Sequence, residues 1–246
     1  MTALHTAQIT FMRHGEKSDD GSLTGTGFEQ ARRTGQATTH LEGGAIMLFH
    51  SGVGRVKDTV RTMAAHLHLG PGETGDYELG KNIVDYVAPN LHYLIDPTQK
   101  GDYFAHWDDI ELNEGSIRHR MIEFLTVNDP DPGFGFSAEK MARNIAQMIG
   151  IQVRFANMTD ITQKVQFING THEPVIMAFL YYFINDFAPT DPAAFLDTIG
   201  GSIEYTESFD IATWHSSPTD FVVELEFRDT RYPIDLDRLR QFAYGK

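Results

Sequence analysis

Three apolar segments, each followed by a segment of helical character, constrain the fold of this chain more than any other feature of its sequence. Residues 9–12, 45–49 and 165–168 are nearly continuous hydrophobic runs. Such short, uninterrupted runs are typical of strands that are buried on both faces of a parallel sheet. Because a strand–helix unit occurs three times, the sequence predicts an α/β fold: a three-layer sandwich with a mostly parallel open sheet and helices on both faces.

The helical segments are predicted at residues 28–41, 55–68, 138–149, 174–184 and 235–242. The segment 55–68 has the clearest pattern, because Val56, Val60 and Met63 recur at helical spacing along one face. Residues 221–227 are predicted to form a fourth strand, and their imperfect alternation suggests a place at the edge of the sheet.

A long stretch separates the second and third strand–helix units. Residues 70–76 and 128–137 are rich in turn-forming residues, and residues 77–127 show no strong period. We interpret residues 70–137 as a mainly helical insertion that packs over the carboxyl edge of the sheet and forms a lid over the substrate pocket. The whole chain, residues 1–246, is therefore predicted to be a single domain with this insertion.

The composition argues against several classes of partner. The chain has 20 Lys and Arg residues against 34 Asp and Glu residues, which gives a formal net charge of −14. Nucleic acids and anionic membranes require a basic surface, so neither is expected as a partner. There is no cysteine, which excludes disulfides, thiolate catalysis and cysteine-ligated metals. Since no signal peptide is recognisable, a cytoplasmic location is expected, while the oligomeric state cannot be read from the sequence.

The residues with catalytic potential follow the predicted strands. Arg13 and His14 come directly after the first strand, Arg55 comes shortly after the second, and His172 and Glu173 come after the third. Ligands of open parallel sheets bind beyond the carboxyl ends of the strands. Two arginines and two histidines from three segments are therefore expected to meet at one edge.

The sequence resembles the histidine phosphatase superfamily, which includes cofactor-dependent phosphoglycerate mutase and many phosphatases. Four motifs occur in the family's order: Arg13-His14-Gly15-Glu16, Leu23-Thr24 with Gly27, Gln30 and Ala31, Ser51 with Arg55 and Thr59, and Thr171-His172. The resemblance covers the sheet framework and its edge loops, but it does not extend through residues 70–137 or beyond residue 205.

This resemblance implies a phosphatase that hydrolyses a small phosphomonoester through a phosphohistidine on His14. Arg13, Arg55 and His172 would bind the phosphoryl group, since guanidinium groups match its spread negative charge. A neutral imidazole is a suitable nucleophile near neutral pH, and in the family a main-chain carbonyl fixes its tautomer. The resemblance implies neither a metal ion nor any other cofactor.

The sequence leaves open which glutamate is the general acid that gives a proton to the leaving oxygen. Many small members of the family have glycine after the second histidine and use a glutamate of the insertion, whereas its acid phosphatases and phytases have aspartate there. This chain has Glu173 at that position, and we favour it as the acid. Glu78 and Glu114, both in the insertion, are the alternatives.

Two other functions remain open at the level of sequence. A mutase of the phosphoglycerate mutase type would transfer the phosphoryl group instead of releasing it to water, and a binding module of the same fold would not react at all. The insertion is rich in acidic residues, whereas mutases of the family have extra basic residues, so the sequence favours the phosphatase.

Overall fold

A mixed seven-stranded sheet forms the centre of the fold. The structure, a computed structural model, describes residues 4–38, 45–67, 83–88, 91, 114–126, 137–158, 164–188, 190–217 and 220–245. The strands are β1 (Leu4–Arg13), β2 (Ala45–His50), β3 (Ile83–Val87), β4 (Val165–Thr171), β5 (Ser208–Ser217), β6 (Asp220–Phe227) and β7 (Thr230–Pro233). Their order is β3-β2-β4-β1-β5-β6-β7. The first four strands in this order run parallel, and β5, β6 and β7 add to them in antiparallel fashion.

Seven helices are present in the part of the chain that the structure describes. They are α1 (Gly25–Ala37), α2 (Gly54–Ala65), α3 (Glu114–Thr126), α4 (Ala138–Met158), α5 (Glu173–Ile184), α6 (Pro192–Ile199) and α7 (Leu236–Tyr244). Helices α1 and α2 pack together, and α2 contacts β2 and β4, while α4 packs against α5, α7 and β1. The predicted three-layer α/β sandwich with helices on both faces is confirmed.

Side chains along the central strands point alternately to the two faces of the sheet, and this explains why there are two hydrophobic cores. Ile9 and Phe11 of β1 join the larger core with α4 and α5, whereas Met12 belongs to the smaller core with α2. All seven residues of β4 are buried, as expected for the central strand of a parallel sheet. A Cβ atom on Gly170 of β4 would lie 2.5 Å from Val60 Cγ1, so this glycine allows α2 to pack closely on the sheet.

Some predicted boundaries were wrong. The segment 221–227 is a strand but not an edge strand, because β6 pairs with β5 on one side and β7 on the other. Helix α1 ends at Ala37 and not at residue 41, since the backbone of Thr38 is extended and its N–H caps the helix. Helix α4 continues nine residues beyond the predicted end at residue 149, to Met158.

The predicted insertion at residues 70–137 is only partly described. Within it, β3 and α3 are regular elements that the sequence analysis did not recognise, and β3 pairs in parallel with β2. Most of its other residues lie outside the described residues, so its predicted role as a lid stays a prediction. In the described parts of the chain, we find no helix that has both the length and the apolar character to span a membrane.

Candidate active site

The pairing of β1 with β4 brings the predicted site residues together. Arg13, the last residue of β1, is the register partner of Thr171, the last residue of β4. The backbone N–H of His14 donates to the carbonyl oxygen of Thr171 at 3.1 Å, which extends the pairing by one residue. The side chains that follow both strands therefore lie at the same carboxyl edge, as the sequence predicted.

His14 is held in one tautomer. Its ring is 5% exposed, and its Nδ1 lies 2.7 Å from the carbonyl oxygen of Gly15, which can only accept a hydrogen bond. Nδ1 therefore carries the proton and Nε2 keeps its lone pair, towards which Nε of Arg55 donates at 3.2 Å. Burial lowers the pKa of His14 from 6.5 to about 4; the Gly15 hydrogen bond opposes this shift and the nearby Arg55 guanidinium adds to it. His14 is thus a neutral imidazole at neutral pH, with an unprotonated Nε2 that accepts a hydrogen bond from Arg55.

Two glycines bring the backbone around His14 into close contact. A Cβ atom on Gly15 would lie 2.6 Å from the carbonyl oxygen of Gly27, and a Cβ atom on Gly27 would lie 2.4 Å from the carbonyl oxygen of Glu16. The backbone N–H of Gly15 donates to the hydroxyl of Thr59 on α2 at 3.1 Å. The glycines and threonine of the sequence motifs therefore have a packing reason, because any side chain at these glycines would push α1 away from the strand.

The hydroxyl of Thr59 also links this backbone to Arg55. It donates to the carbonyl oxygen of Arg55 at 2.7 Å, one turn earlier in α2. The Arg55 guanidinium reaches over His14 and donates from Nη1 to the carbonyl oxygen of Gly21 at 3.4 Å. Arg55 is therefore oriented by both α2 and the loop after β1.

His172 faces His14 from the start of α5. It is the N-cap residue of this helix, but its side chain makes no capping bond and is 3% exposed. Its Nε2 lies 3.2 Å from the hydroxyl oxygen of Ser51, and its ring centre lies 5.2 Å from that of His14. The helix begins at Glu173, directly after His172, and Pro174 is in its first turn. The N-terminus of the helix, which is the positive end of its dipole, therefore lies at this edge and favours an anion there.

Arg13 and Glu173 form an ion pair beside the two histidines. Nη1 of Arg13 lies 2.9 Å from Oε2 of Glu173, and both side chains are largely buried, at 18% and 13% exposed. Burial raises the pKa of Glu173, the Arg13 guanidinium opposes this shift, and the nearby Glu204 carboxylate adds to it. The Nε–H of Arg13 is buried without an acceptor among the described residues. Since a buried donor without a partner is costly, an anion at this position would be bound favourably.

The loop between α6 and β5 is also part of the site, although the sequence did not predict it. Arg13 donates to the carbonyl oxygen of Ile203 in this loop, and its guanidinium carbon lies 4.1 Å from the centre of the Tyr205 ring. Tyr205 is also 6.0 Å from the His14 ring, measured between ring centres. The resemblance ends near this residue, and the sequence carries no pattern that would assign it to the site.

A residue of the β6–β7 turn fixes this loop. Arg228 forms an ion pair with Glu207 at 2.6 Å and donates to the carbonyl oxygens of Ile199 and Ser202. Two consecutive residues with positive φ, Gly200 and Gly201, allow the chain to turn around this guanidinium. Arg228 therefore holds the segment that contacts Arg13, although the two arginines lie far apart in the sequence.

Glu114 and Glu78, the two alternative acids, both belong to the predicted insertion. Glu114 is the first residue of α3, and Glu78 lies outside the described residues. Among the described residues, no group of three or more histidine, aspartate or glutamate side chains is arranged to hold a metal ion. The residues that the structure brings together at the edge are thus Arg13, His14, Arg55, His172 and Glu173.

The chain shares its fold with solved structures that superimpose on most of its length. One is a protein described as mycobacterial hydrolase 1, with a TM-score of 0.56 and 14% identity over 92% of this chain and 99% of that chain. Another is mycobacterial glucosyl-3-phosphoglycerate phosphatase. Its native structure has a TM-score of 0.51 and 15% identity over 84% of this chain and 90% of that chain.

The same phosphatase has also been solved in complex with VO3, and that structure has a TM-score of 0.53 and 13% identity over 91% of this chain and 99% of that chain. A scan against protein-family models and a search of curated proteins find no match. At these low identities the likeness concerns the fold, and the chemistry is argued from the residues of this chain.

Proposed function

We propose that this protein is a phosphatase that hydrolyses a phosphomonoester through a phosphohistidine formed on Nε2 of His14. The observation that carries the proposal is the state of His14: it is neutral and buried, and the Gly15 carbonyl fixes its tautomer. Its unprotonated Nε2 lies at an edge where Arg55, Arg13 and His172 supply donors for an anion. A nucleophile surrounded by cationic donors suits phosphoryl transfer, in which negative charge is spread over the oxygens.

In the first step, Nε2 of His14 attacks the phosphorus atom and the bond to the ester oxygen breaks. Glu173, in its protonated form, gives its proton to the leaving oxygen, so the alcohol departs neutral. In the second step, the Glu173 carboxylate accepts a proton from a water molecule that attacks the phosphorus atom, and the Nε2–P bond breaks with its electron pair returning to His14. Inorganic phosphate is released, and both His14 and Glu173 return to their starting states.

The proposed acid role of Glu173 rests on its surroundings. Its carboxyl group lies next to Arg13, which would contact the substrate's phosphoryl oxygens through its unsatisfied Nε–H. Burial already raises the pKa of Glu173, and a bound phosphate dianion would raise it further. A protonated carboxyl group beside the leaving oxygen is what the first step requires.

The solved structures support the phosphatase over a mutase or a binding module. The superimposed phosphatase acts, by its description, on glucosyl-3-phosphoglycerate, and it has been solved in complex with VO3. We extend from this only the reaction class, hydrolysis of a small phosphorylated substrate, and leave the alcohol unassigned. The proposal includes a single domain over residues 1–246, with residues 70–137 lining the substrate pocket.

The test compares hydrolysis of an aryl phosphate, with a chelator present, by wild type, by His14→Ala and by the control His66→Ala. His66 is an exposed histidine one residue beyond α2, so its loss should leave turnover unchanged. We expect His14→Ala to lose all measurable turnover and the wild type to become labelled by a phosphate-labelled substrate on quenching. Turnover that survives in His14→Ala, or a wild type that neither turns over nor becomes labelled, would overturn the proposal.

A further inference from the structure

A second concave site lies between α4, α7 and β6, away from the candidate active site. The pocket has a volume of about 360 Å³, within the range of small-molecule sites. Phe221, one of its lining residues, pairs with His215, which pairs in turn with Leu4 at the start of β1. His14 follows the other end of β1, so about 30 Å of strand separates the two sites.

The lining of this pocket combines an apolar floor with a cationic rim. Val153, Leu239 and Ala243 form a buried floor, and the exposed Tyr244 stands at the edge. Two of the other described lining residues are arginines, and none of the described lining residues is acidic. This is unexpected for a chain with a formal net charge of −14, because its carboxylates outnumber its cations.

The two arginines differ in their surroundings. Arg240 forms an exposed ion pair with Asp237 at 3.2 Å. Arg154, on α4, makes no hydrogen bond or ion pair with the described parts of the chain. A guanidinium at the rim of an apolar pocket is a donor for a carboxylate, a phosphate or a sulfonate.

Gly150 leaves room in the pocket for an apolar body. It lies in the interior of α4, where glycine is less favourable than alanine, and it lines the pocket. The buried glycines of the described chain have packing reasons, because a Cβ atom on each would meet backbone or a stiff side chain at 2.6 Å or less: Gly15, Gly27, Gly35 and Gly170. A Cβ atom on Gly150 would meet nothing within 4 Å, so packing does not require glycine here. A larger side chain at this position would project into the pocket that Gly150 lines.

We infer that the pocket between α4 and α7 binds a small amphipathic anion, with its apolar aryl or alkyl body over Gly150 and its anionic group on Arg154. The inference does not depend on the phosphatase proposal, because the two sites share no residue. A concave pocket with an apolar floor selects a small molecule with a compact apolar body, and the cationic rim selects an anion.

The test uses the fluorescence of two dyes that share an apolar body, 8-anilinonaphthalene-1-sulfonate and the uncharged N-phenyl-1-naphthylamine. Both are titrated into the full chain without added phosphate, because phosphate would compete with the sulfonate for Arg154. The pocket variants are Gly150→Leu, which fills the volume, and Arg154→Gln, which removes the charge. Gly150→Ala and Arg33→Gln are the matched controls, since alanine leaves most of the volume and Arg33 is an exposed arginine on α1, on the other face of the sheet.

We expect Gly150→Leu to weaken binding of both dyes by about tenfold or more, because the apolar body no longer fits. Arg154→Gln should weaken the sulfonate dye by about tenfold and leave the uncharged dye unchanged, because a charge-assisted hydrogen bond is lost. Both controls should bind like the wild type. Should Gly150→Leu fail to fold, Arg154→Gln alone decides the result through the difference between the two dyes.

Three outcomes would overturn the inference. The first is a wild type that binds neither dye. The second is equal binding of both dyes to wild type and Gly150→Leu, which would place the dyes elsewhere on the surface. The third is an equal effect of Arg154→Gln on the charged and the uncharged dye, which would mean that the arginine does not recognise the anion.

Discussion

His14 shows how burial prepares a single residue for its proposed role. A free histidine is partly protonated near neutral pH and divides its proton between two nitrogens. Here the surrounding chain lowers the pKa to about 4, and the Gly15 carbonyl accepts the proton of Nδ1. Both effects increase the fraction of molecules in which Nε2 is unprotonated at neutral pH.

This lowered pKa predicts a loss of stability in acid. Between pH 6.5 and pH 4 the unfolded state protonates His14 and the folded state does not, so the free energy of unfolding falls as the pH falls. The His14 contribution should decrease by about 3 kcal/mol between pH 7 and pH 4, and this loss should be absent in His14→Gln. Denaturant unfolding of both proteins across this pH range measures the difference. Identical pH profiles for the two proteins would contradict the lowered pKa.

Glu173 makes a prediction that depends on the leaving group. Glu173→Gln cannot donate a proton, so turnover of an alkyl phosphate, a poor leaving group, should fall by about 10²–10⁴-fold. Formation of phosphohistidine from an activated aryl phosphate should be largely retained, because that leaving oxygen needs little help from an acid. The control is Glu29→Gln, which removes a carboxylate of α1 that is not proposed to react. If Glu173→Gln hydrolyses the alkyl phosphate as fast as the wild type, the acid lies elsewhere, with Glu78 and Glu114 as the remaining alternatives.

At the scale of elements, the loop between α6 and β5 joins the antiparallel half of the sheet to the site. The parallel strands position His14 and His172, but Arg13 is held by Ile203 and Tyr205 of this loop. Arg228, in the turn between β6 and β7, in turn fixes the loop. The antiparallel strands therefore contribute to the geometry of a site that lies at the end of the parallel ones.

This arrangement predicts that Arg228→Gln acts on the site from a distance. The substitution removes the ion pair with Glu207 and bonds to loop carbonyls, which should cost about 2 kcal/mol of stability. Because the loop that contacts Arg13 through Ile203 and Tyr205 is then no longer held, the KM for an aryl phosphate should rise by about fivefold or more, with a smaller change in kcat. Thermal unfolding and steady-state kinetics measure the two effects. The control Arg231→Gln, on β7, should change neither, and an unchanged KM in Arg228→Gln would refute the link.

For the whole molecule, the net charge of −14 opposes the approach of an anionic substrate. The cationic groups at the site act over short distances, whereas the overall field extends about 30 Å at 0.01 M salt and about 8 Å at 0.15 M. We therefore expect kcat/KM for an aryl phosphate to rise about twofold or more as salt is increased between these concentrations. A phosphomonoester with a quaternary ammonium group is the control, since its charge should weaken or reverse the trend. A decrease with salt for the aryl phosphate would mean that the local cations dominate the encounter.

The layers of the fold were predictable from local sequence patterns, but some strands and helices were missed for a physical reason. Short runs of apolar residues indicated the central strands, because strands buried on both faces are apolar throughout, although the buried helix α5 shows that helices can be apolar throughout as well. The strand β5 and the helix α6 were missed, since their patterns are weaker and their burial depends on neighbours that are distant in the sequence. The edge position of residues 221–227 was wrong for the same reason: pairing with β7 cannot be read from β6 alone.

The sequence by itself determined the order of strand–helix units and the chemical groups at the strand ends, because both are properties of residues close together along the chain. Only the tertiary structure decided that Glu173 pairs with Arg13, that Tyr205 covers this arginine and that Arg228 holds the loop. The protonation state of His14 also belongs to the tertiary structure, because it depends on burial by segments that are far apart in the sequence. Contacts across such separations are set by how elements pack, and no local pattern encodes them.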